Sequence, residues 1–436
     1  MSTIGYIDKY YDQLQAGKAG TPLANIRKGA FADLNKMGIP GSRHEEWKYT
    51  RIGSLFNREY QLASVQNTEQ LNATDINNLR LPGSAQANEL VFINGKFSLE
   101  LSSIRTAGLV VLSLEEALNG EYKDIVSANF GHSAQYLKDG INALSTALVS
   151  GALFVHVRKG KMMKHPIYIY NITDARFGNI LSQPRSLVHI GEQAQVQIVE
   201  NFITVGKQDS ITNHVIEIAA EKDSITDYYK IQNDASNANL VSTTHVRQLG
   251  KSIAHTVTIT LNGGMVRNNL NLVMEADHCE AHLYGLYFQQ GNTHVDNHTV
   301  VDNVKPHCYS NELYKGILKD NATGVFNGKI FVRPQAQKTN AYQSNKNILL
   351  SDLASVNTKP QLEIFADDVK CSHGCTVGQL DEEALFYLRS RGIQEETATS
   401  MLLHGFAIDV LEKIKLDPIR AYVDRLIDER LEFETI

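Results

Sequence analysis

Hydrophobic and polar positions follow two different periods along the chain, and the period changes twice. Near the N-terminus, apolar residues recur at the spacing of an α-helix: Ile7, Tyr10, Tyr11 and Leu14. Further on, short segments alternate apolar and polar side chains and recur about every 12 residues, between turns rich in Gly, Asn and Asp. The helical period then returns. The pattern predicts an N-terminal helical or mixed domain (residues 1–150), a β-domain (151–378) and a C-terminal helical domain (379–436).

The predicted N-terminal domain begins with two helices. The second runs over residues 22–37 and is followed by turn residues that start at Gly38. Residues 57–88 are rich in Asn, Gln and Ser without a clear period, which indicates a loosely ordered connector. Asn94 and Gly95, between two apolar runs, predict the tight turn of a β-hairpin. A short apolar element over residues 141–148 predicts a further helix.

The β-domain has the rhythm of a mainly β fold. No helical segment of ten or more residues interrupts its strands, which excludes a doubly wound α/β sheet. A sandwich, a barrel and a solenoid all fit this rhythm. A solenoid of this size grows simply by stacking coils, and the Asn-rich turns and Thr-rich strands favour a parallel β-helix. A double sandwich stays open as the alternative, because no strict repeat is visible.

The C-terminal domain contains four predicted helices. Three of them cover short segments: residues 381–391, 394–404 and 407–414. Gly405 and Phe406 form the predicted break between the second and the third. The last helix begins with Asp417 as N-cap and Pro418 at the first helical position. Such helices can cap the open end of a β-domain or present a docking face, and the pattern does not choose between the two.

The composition argues against several classes of function. The 436 residues carry a formal net charge of −6 and no run of Lys or Arg, which argues against a nucleic-acid-binding protein. No apolar run approaches the roughly 18 residues of a membrane span, and the N-terminus lacks the basic and apolar regions of a signal peptide. Four cysteines in so long a chain do not make a disulfide framework, so the expected compartment is the cytoplasm, with reduced thiols.

Two of the four cysteines lie where the β-domain ends. Cys371 and Cys375 flank His373, and Asp367 and Asp368 precede them, so thiolate, imidazole and carboxylate donors are close in sequence. This set of donors is competent to bind a metal. The Cys-x-His-x-Cys spacing, however, matches no common zinc motif. A plain turn between two domains, with one buried cysteine and an exposed histidine, explains the residues equally well.

Other histidines of the β-domain are spaced four residues apart, and such residues share a face of a strand. His278 pairs with His282 in this way, and His294 pairs with His298. Each pair can converge on a metal, although outward polar positions of neighbouring coils explain them more simply. A metal- or carboxylate-dependent, polysaccharide-active β-helical enzyme is the alternative function, but acidic residues are sparse in the strands.

No nucleotide-binding loop is predicted. The segment from Gly324 to Lys329 has only three residues between its glycines, where a phosphate loop requires four. Ile330 stands where such a loop has the Ser or Thr that binds magnesium. The segment is better explained as a turn inside a β-coil.

Several motifs of the chain are similar to those of one known family: GIP (38–40) before EWKYT (46–50), PHCYS (306–310) with YKG (314–316), GVFNGKIFV (324–332), QKTNAYQSNKNILL (337–350) and DDVKCSHGCTVGQLDEEALFYLRSRG (367–392). Together they resemble the SufB/SufD family of iron–sulfur cluster assembly proteins, and the last motif resembles its SufD branch in particular. The resemblance spans most of the chain and is dense from His294 onward. It departs from the SufD pattern at Cys375, where a small residue such as Ala is more usual.

The resemblance implies a right-handed parallel β-helix flanked by helical domains. It implies a non-enzymatic scaffold subunit that pairs with a SufB-like paralogue through the β-helix and binds a SufC-like ATPase through its C-terminal helices. The family's assembly site, carried over, falls on Cys371 and His373 as ligands of a transient iron or iron–sulfur cluster at the interface with SufB. Thiolate is the natural ligand of such clusters, and imidazole can replace it.

The resemblance leaves some questions open. Cys375 is a third candidate ligand, and a cysteine that is merely tolerated at this position is the alternative. A purely structural partner of SufB, in which no residue touches iron, is a further alternative. The sequence does not decide whether the chain forms a homodimer on its own. No nucleotide, nucleic acid or membrane is expected to bind this chain.

Overall fold

The computed structural model describes residues 5–16, 20–62 and 71–431. It confirms the predicted fold class, because the β-domain is a parallel β-solenoid of about eight turns with helices before and after it. The strands are β1 (Asn88–Ile93), β2 (Lys96–Ser103), β3 (Leu109–Ser113), β4 (Leu153–Val157), β5 (Ile167–Asp174), β6 (Ile180–Ser182), β7 (Arg185–Ile190), β8 (Gln195–Val205), β9 (Ser210–Ala220), β10 (Ile225–Asn233), β11 (Ala238–Gln248), β12 (Ile253–Asn262), β13 (Met265–Met274), β14 (Glu280–Gln289), β15 (His294–Asn303), β16 (Tyr309–Leu318), β17 (Thr323–Val332), β18 (Asn340–Leu349), β19 (Ser355–Ile364) and β20 (Lys370–Gly378). The α-helices are α1 (Gly5–Gln15), α2 (Pro22–Met37), α3 (Ala73–Asn77), α4 (Leu114–Asn119), α5 (Lys123–Asn129), α6 (Gly140–Ala147), α7 (Glu382–Ser390), α8 (Glu395–Leu411) and α9 (Asp417–Leu431).

Successive strands of the solenoid alternate between two sheets. One sheet has the order β2-β1-β5-β8-β10-β12-β14-β16-β18-β20, and the other has the order β19-β17-β15-β13-β11-β9-β7-β4-β3, with β6 beside β9. Ile253 lies opposite Glu280, and Tyr309 lies opposite Asn340. One coil therefore takes about 30 residues, within the usual range of solenoid repeats. Strands β1, β2 and β3 precede residue 150, so the N-terminal segment supplies two strands to the first sheet and one to the second.

Several local predictions are confirmed. Asn94 and Gly95 join β1 to β2 with φ values of 48° and 81°, the positive values that a tight hairpin turn of the I′ type requires. The helices predicted over residues 22–37 and 141–148 are present as α2 and α6. Within the predicted connector, α3 begins with a capping box at Asn72, and residues 63–70 lie outside the described ranges.

Aromatic side chains inside the solenoid explain the glycine of the motif at residues 314–316. The ring of Tyr314 lies against Gly285 of the neighbouring coil, and Gly316 in turn faces the ring of Tyr287. A Cβ atom at Gly316 would lie 2.3 Å from that ring, well inside contact distance. Any larger residue there would have to displace a fully buried tyrosine, and overpacking of this kind is destabilising.

The motif at residues 46–50 fastens the N-terminal segment to the outer face of one sheet. Trp47 is fully buried, and its indole Nε1 donates a hydrogen bond to Asp139 at 3.1 Å. The guanidinium of Arg267, on β13, lies over the indole ring at 3.9 Å. Lys329, on β17, donates to the Glu46 carboxylate at 2.5 Å. The tryptophan is thus buried where the N-terminal segment meets the solenoid.

The predicted break at Gly405 and Phe406 is wrong, because α8 continues through both residues to Leu411. Gly405 is exposed, whereas Leu403 and Ala407 on either side of it are buried in a cluster shared with the solenoid strands. Glycine inside a helix costs about 1 kcal/mol relative to alanine, and the packing of its neighbours offsets that cost. In the part of the chain that the structure describes, three helices therefore follow β20. Within the described ranges, no helix is long and apolar enough to cross a membrane.

Candidate metal centre

The residues predicted from the sequence lie on β20, the last strand of its sheet. Among the described strands, β20 pairs with β18 alone, and β19, the last strand of the other sheet, pairs with β17 alone. Both strands belong to the final coil. The solenoid therefore ends there with two strand edges whose backbone groups have no partner strand among the described residues.

Cys371, His373 and Cys375 share one face of β20, because alternate residues of a strand point to the same side. Cys371 lies opposite Ala341 of the preceding coil and His373 opposite Gln343. Ala341 and Gln343 are buried inside the solenoid. The three candidate ligands thus continue the inward-facing column, at the end where no further coil covers it.

The three side chains differ in burial. Cys371 is half-buried and packs against the hydrophobic core, whereas His373 and Cys375 are exposed. Partial burial raises the pKa of the Cys371 thiol, because the thiolate is poorly solvated there. A metal ligand must be the thiolate, so a cation bound next to Cys371 would reverse this effect by stabilising the charged form.

The candidate ligands do not converge on one point. Neighbouring residues on the same face of a strand are about 7 Å apart. In the described part of the chain, Cys371, His373 and Cys375 do not form a group of three donor atoms within reach of one ion. Asp368, which the sequence placed beside them, pairs with Lys338. A complete coordination sphere at this end of the solenoid therefore needs ligands from outside β20, or a metal cluster that is larger than a single ion.

Two of the other histidines predicted as a pair connect the solenoid to the N-terminal segment. His294 Nε2 lies 2.9 Å from the Thr50 hydroxyl, and His298 Nε2 lies 2.9 Å from the Asp296 carboxylate. Thr50 also donates to Asp296. These contacts give the two imidazoles a structural role in holding residues 46–50 against β15.

The second predicted pair is split between a turn and a strand. His278 has a φ of 59°, is exposed in the turn before β14 and stacks on His307 of the next coil at 4.8 Å. His282 lies within β14, with its Nε2 3.5 Å from Glu280. Neither pair belongs to a group of three metal-competent donors in the described residues.

The structure adds a buried carboxyl group that the sequence did not single out. Glu312, on β16, is fully buried two coils below His373, and Gln343 between them donates to its carboxylate at 2.7 Å. Desolvation raises the pKa of Glu312 to about 7, and the hydrogen bond from Gln343 acts against this shift. Positions opposite each other in successive coils are about 30 residues apart in sequence, so no local pattern reveals this column.

We expect Glu312→Gln to stabilise the protein at pH 8 and to change its stability little at pH 5. The raised pKa means that the folded state holds a proton which the unfolded state releases above its pKa of 4.5. Stability is thus lost as the pH rises through about 7, by up to a few kcal/mol. Glutamine keeps the acceptor for Gln343 and cannot ionise. Thermal unfolding at the two pH values measures the effect, with the exposed Glu280→Gln as control. An equal effect of Glu312→Gln at both pH values would contradict this assignment.

An apolar rim surrounds the open end of the solenoid. Phe365, directly after β19, is 57% exposed, and Leu353, Ile364 and Val377 are also exposed large apolar residues. A second group of exposed apolar side chains lies on the C-terminal helices: Phe386, Tyr387, Met401 and Ile408. Clusters of exposed apolar residues mark interaction surfaces more often than isolated ones do.

Comparison with known proteins matches almost the whole chain. Residues 171–406 match the family described as "SUF system FeS cluster assembly, SufBD core domain", and residues 2–169 match the "SufBD protein N-terminal region". An iron–sulfur cluster assembly SufBD family protein of Synechocystis is 30% identical over 97% of this chain and 96% of its own length. A family member of Mycobacterium leprae is 34% identical over 94% and 96%, and the iron–sulfur cluster assembly protein SufD of Escherichia coli is 27% identical over 94% of both chains. The chain therefore belongs to the SufB/SufD family and has a role in iron–sulfur cluster assembly.

Proposed function

We propose that this chain is a SufD-like scaffold subunit that pairs, through the open end of its solenoid, with a SufB-like paralogue. In this proposal a cluster is assembled at the interface between the two, and the chain supports the entry of iron. The proposal rests on one observation: the final coil combines candidate metal ligands with features of a protein interface. Cys371 and His373 stand on its inward face, next to two unpaired strand edges and an apolar rim.

The unpaired edges favour a protein partner at this end. A long, flat strand edge is prone to pair with another chain, and proteins usually protect such edges with charges, proline or a covering element. In β20 the only charged residue is Lys370. β19 carries Pro360 together with the charged Lys359 and Glu363, so the edge of β20 is the less protected of the two. A second solenoid that continues the sheets would satisfy the free backbone groups and bury Phe365 and its neighbours.

An incomplete ligand set suits a cluster that is handed on. Cys371 and His373 supply one thiolate and one imidazole, whereas iron–sulfur clusters commonly take four protein ligands. A partner chain that supplies the remaining ligands completes the site only while the two chains are together. Moving the chains apart would then open the coordination sphere and release the cargo. Cys375 is exposed on the same face and is available as an additional ligand.

The C-terminal helices are the proposed binding surface for a SufC-like ATPase. Phe386 and Tyr387 on α7 and Met401 on α8 are exposed there. The sequence has no phosphate loop of its own, so in this proposal ATP hydrolysis belongs to the partner and this chain is not an enzyme. We also propose the cytoplasm as its compartment, in line with the four unpaired thiols of the described cysteines.

We expect Phe365→Asp to abolish co-purification of the tagged chain with its co-expressed SufB-like paralogue. A charge buried in a desolvated apolar interface costs several kcal/mol, whereas the exposed side chain contributes little to the fold of the free chain. The matched control is Leu99→Asp on β2, the edge strand at the opposite end of the sheet that ends with β20, where Leu99 is 69% exposed. The control should keep the partner. The proposed interface would be refuted if Phe365→Asp kept the paralogue, or if both variants lost it. If the chain forms a homodimer that Leu99→Asp keeps and Phe365→Asp loses, the chain also pairs with itself through this end.

A further inference from the structure

Three potential metal ligands meet between the last two helices, far in sequence from β20. His404 Nε2, on α8, lies 2.8 Å from an oxygen of Asp424 and 3.8 Å from an oxygen of Asp428, both on α9. One ligand atom from each residue lies within 4.8 Å of the other two. No other group of three such donors is found in the described residues. All three side chains are partly exposed, so an ion can reach them from solvent.

Within the described ranges, the imidazole is the only basic partner of the two carboxylates. Residues four apart on a helix lie side by side, and like charges at that spacing are destabilising. The arginines of α9 are engaged elsewhere: Arg420 with Asp417, Arg425 with Glu429, and Arg430 with the backbone oxygen of Phe288. Among the described residues, only His404 contacts Asp424 and Asp428. A divalent cation held by the three side chains would offset both negative charges.

We propose that His404, Asp424 and Asp428 form a binding site for a divalent transition-metal cation that links α8 to α9. Zinc binds histidine nitrogen and carboxylate oxygen at about 2.0–2.2 Å, which places neighbouring ligand atoms about 3–3.5 Å apart. The observed separations of 2.8 and 3.8 Å bracket that spacing. An imidazole with two carboxylates suits zinc and similar borderline metals better than magnesium, which prefers oxygen ligands alone. Three protein ligands leave further positions open to water.

The site is independent of the residues on β20. It lies on the C-terminal helices and contains no thiolate, so its metal preference differs from that of Cys371. The ion would connect two helices that pack against each other and against the solenoid through the same buried cluster. Metal binding to the folded chain should therefore raise the temperature at which it unfolds.

The test uses the full-length chain with Cys371→Ser, His373→Ala and Cys375→Ser, which removes the candidate ligands on β20. We expect Co²⁺ and Zn²⁺ to bind this background with one equivalent in calorimetric titration, and Co²⁺ to show ligand-field bands without thiolate-to-metal charge transfer. His404→Ala and Asp428→Asn should each weaken binding by at least about tenfold, since even an outer partner of a metal ligand changes affinity 10- to 100-fold. Glu429→Gln, one residue further along α9, should leave binding unchanged.

Two results would overturn the proposal. One is the absence of one-equivalent binding in the background chain; the other is equal affinity in Asp428→Asn and Glu429→Gln. Either result would mean that His404 only makes ion pairs with the aspartates of α9. Asp428 is the most exposed of the three, so its substitution by the isosteric asparagine keeps the test decisive if His404→Ala fails to fold. Thermal unfolding in the presence of a chelator checks the fold of each variant.

Discussion

Replacing His373 by alanine is expected to remove most of the iron and acid-labile sulfide from the complex formed with the SufB-like paralogue and the ATPase. In the proposed function, His373 is a ligand that the partner shares, and no second imidazole of the described chain lies on the same face of β20. The side chain is exposed on an edge strand. Its removal should therefore change the free energy of unfolding of the isolated chain by no more than about 1 kcal/mol. The measurement is iron and sulfide content of the co-expressed complex, with a thermal melt of each variant.

The two cysteines of β20 provide the controls for this prediction. Cys375→Ala introduces the small residue that is usual at this position in the SufD pattern, so it should load the cluster almost normally. Cys371→Ala should behave like His373→Ala if the thiolate is a ligand, and should mainly lower stability if the side chain is only packed against the core. Normal iron and sulfide content in the His373→Ala complex would contradict the assignment of this site. The family and its role in cluster assembly would be unaffected, because they rest on the whole chain.

The sequence predicted those features of the fold that arise from interactions between residues close together in the chain. The Asn94-Gly95 turn, the alternating strands and the helices with a clear period follow from interactions between near neighbours, and the structure contains them. The break predicted at Gly405 failed because the buried neighbours Leu403 and Ala407 override the preference of one glycine.

Contacts between distant segments could not be predicted in the same way. The sequence has a single tryptophan, Trp47, but its position under Arg267 depends on which face of the sheet the N-terminal segment covers. Gln343 and Glu312 lie beneath His373 because each coil takes about 30 residues, a length that no strict repeat in the sequence reveals. The metal-competent group on the C-terminal helices was missed for the same reason. His404 and Asp424 are 2.8 Å apart only because α8 and α9 pack in one particular alignment.

The packing of the C-terminal helices determines how their proposed docking role is best tested. Deleting residues 393–436 would remove α8 and α9, whose buried residues share a cluster with strands of the solenoid. The deletion would expose apolar surface of the sheet and destabilise the remaining chain. Loss of partner binding after that deletion would therefore not distinguish a missing docking surface from a damaged fold. Substitutions of exposed residues avoid this ambiguity.

We expect Phe386→Asp combined with Met401→Asp to weaken binding of the SufC-like ATPase by at least tenfold, because central apolar residues of an interface each contribute about 2 kcal/mol or more. Phe386 is 73% exposed, so the solenoid and its binding to the SufB-like paralogue should be preserved. The matched control is Met162→Asp, a substitution of an apolar residue that is 64% exposed outside the C-terminal helices. Calorimetric titration with the purified ATPase measures the loss, and ATP turnover is measured in parallel. Turnover should be absent from the pure chain and appear only with the ATPase. Unchanged affinity in the double variant would contradict the proposed docking surface. Turnover that scales with the concentration of this chain alone would contradict the proposal that only the partner hydrolyses ATP.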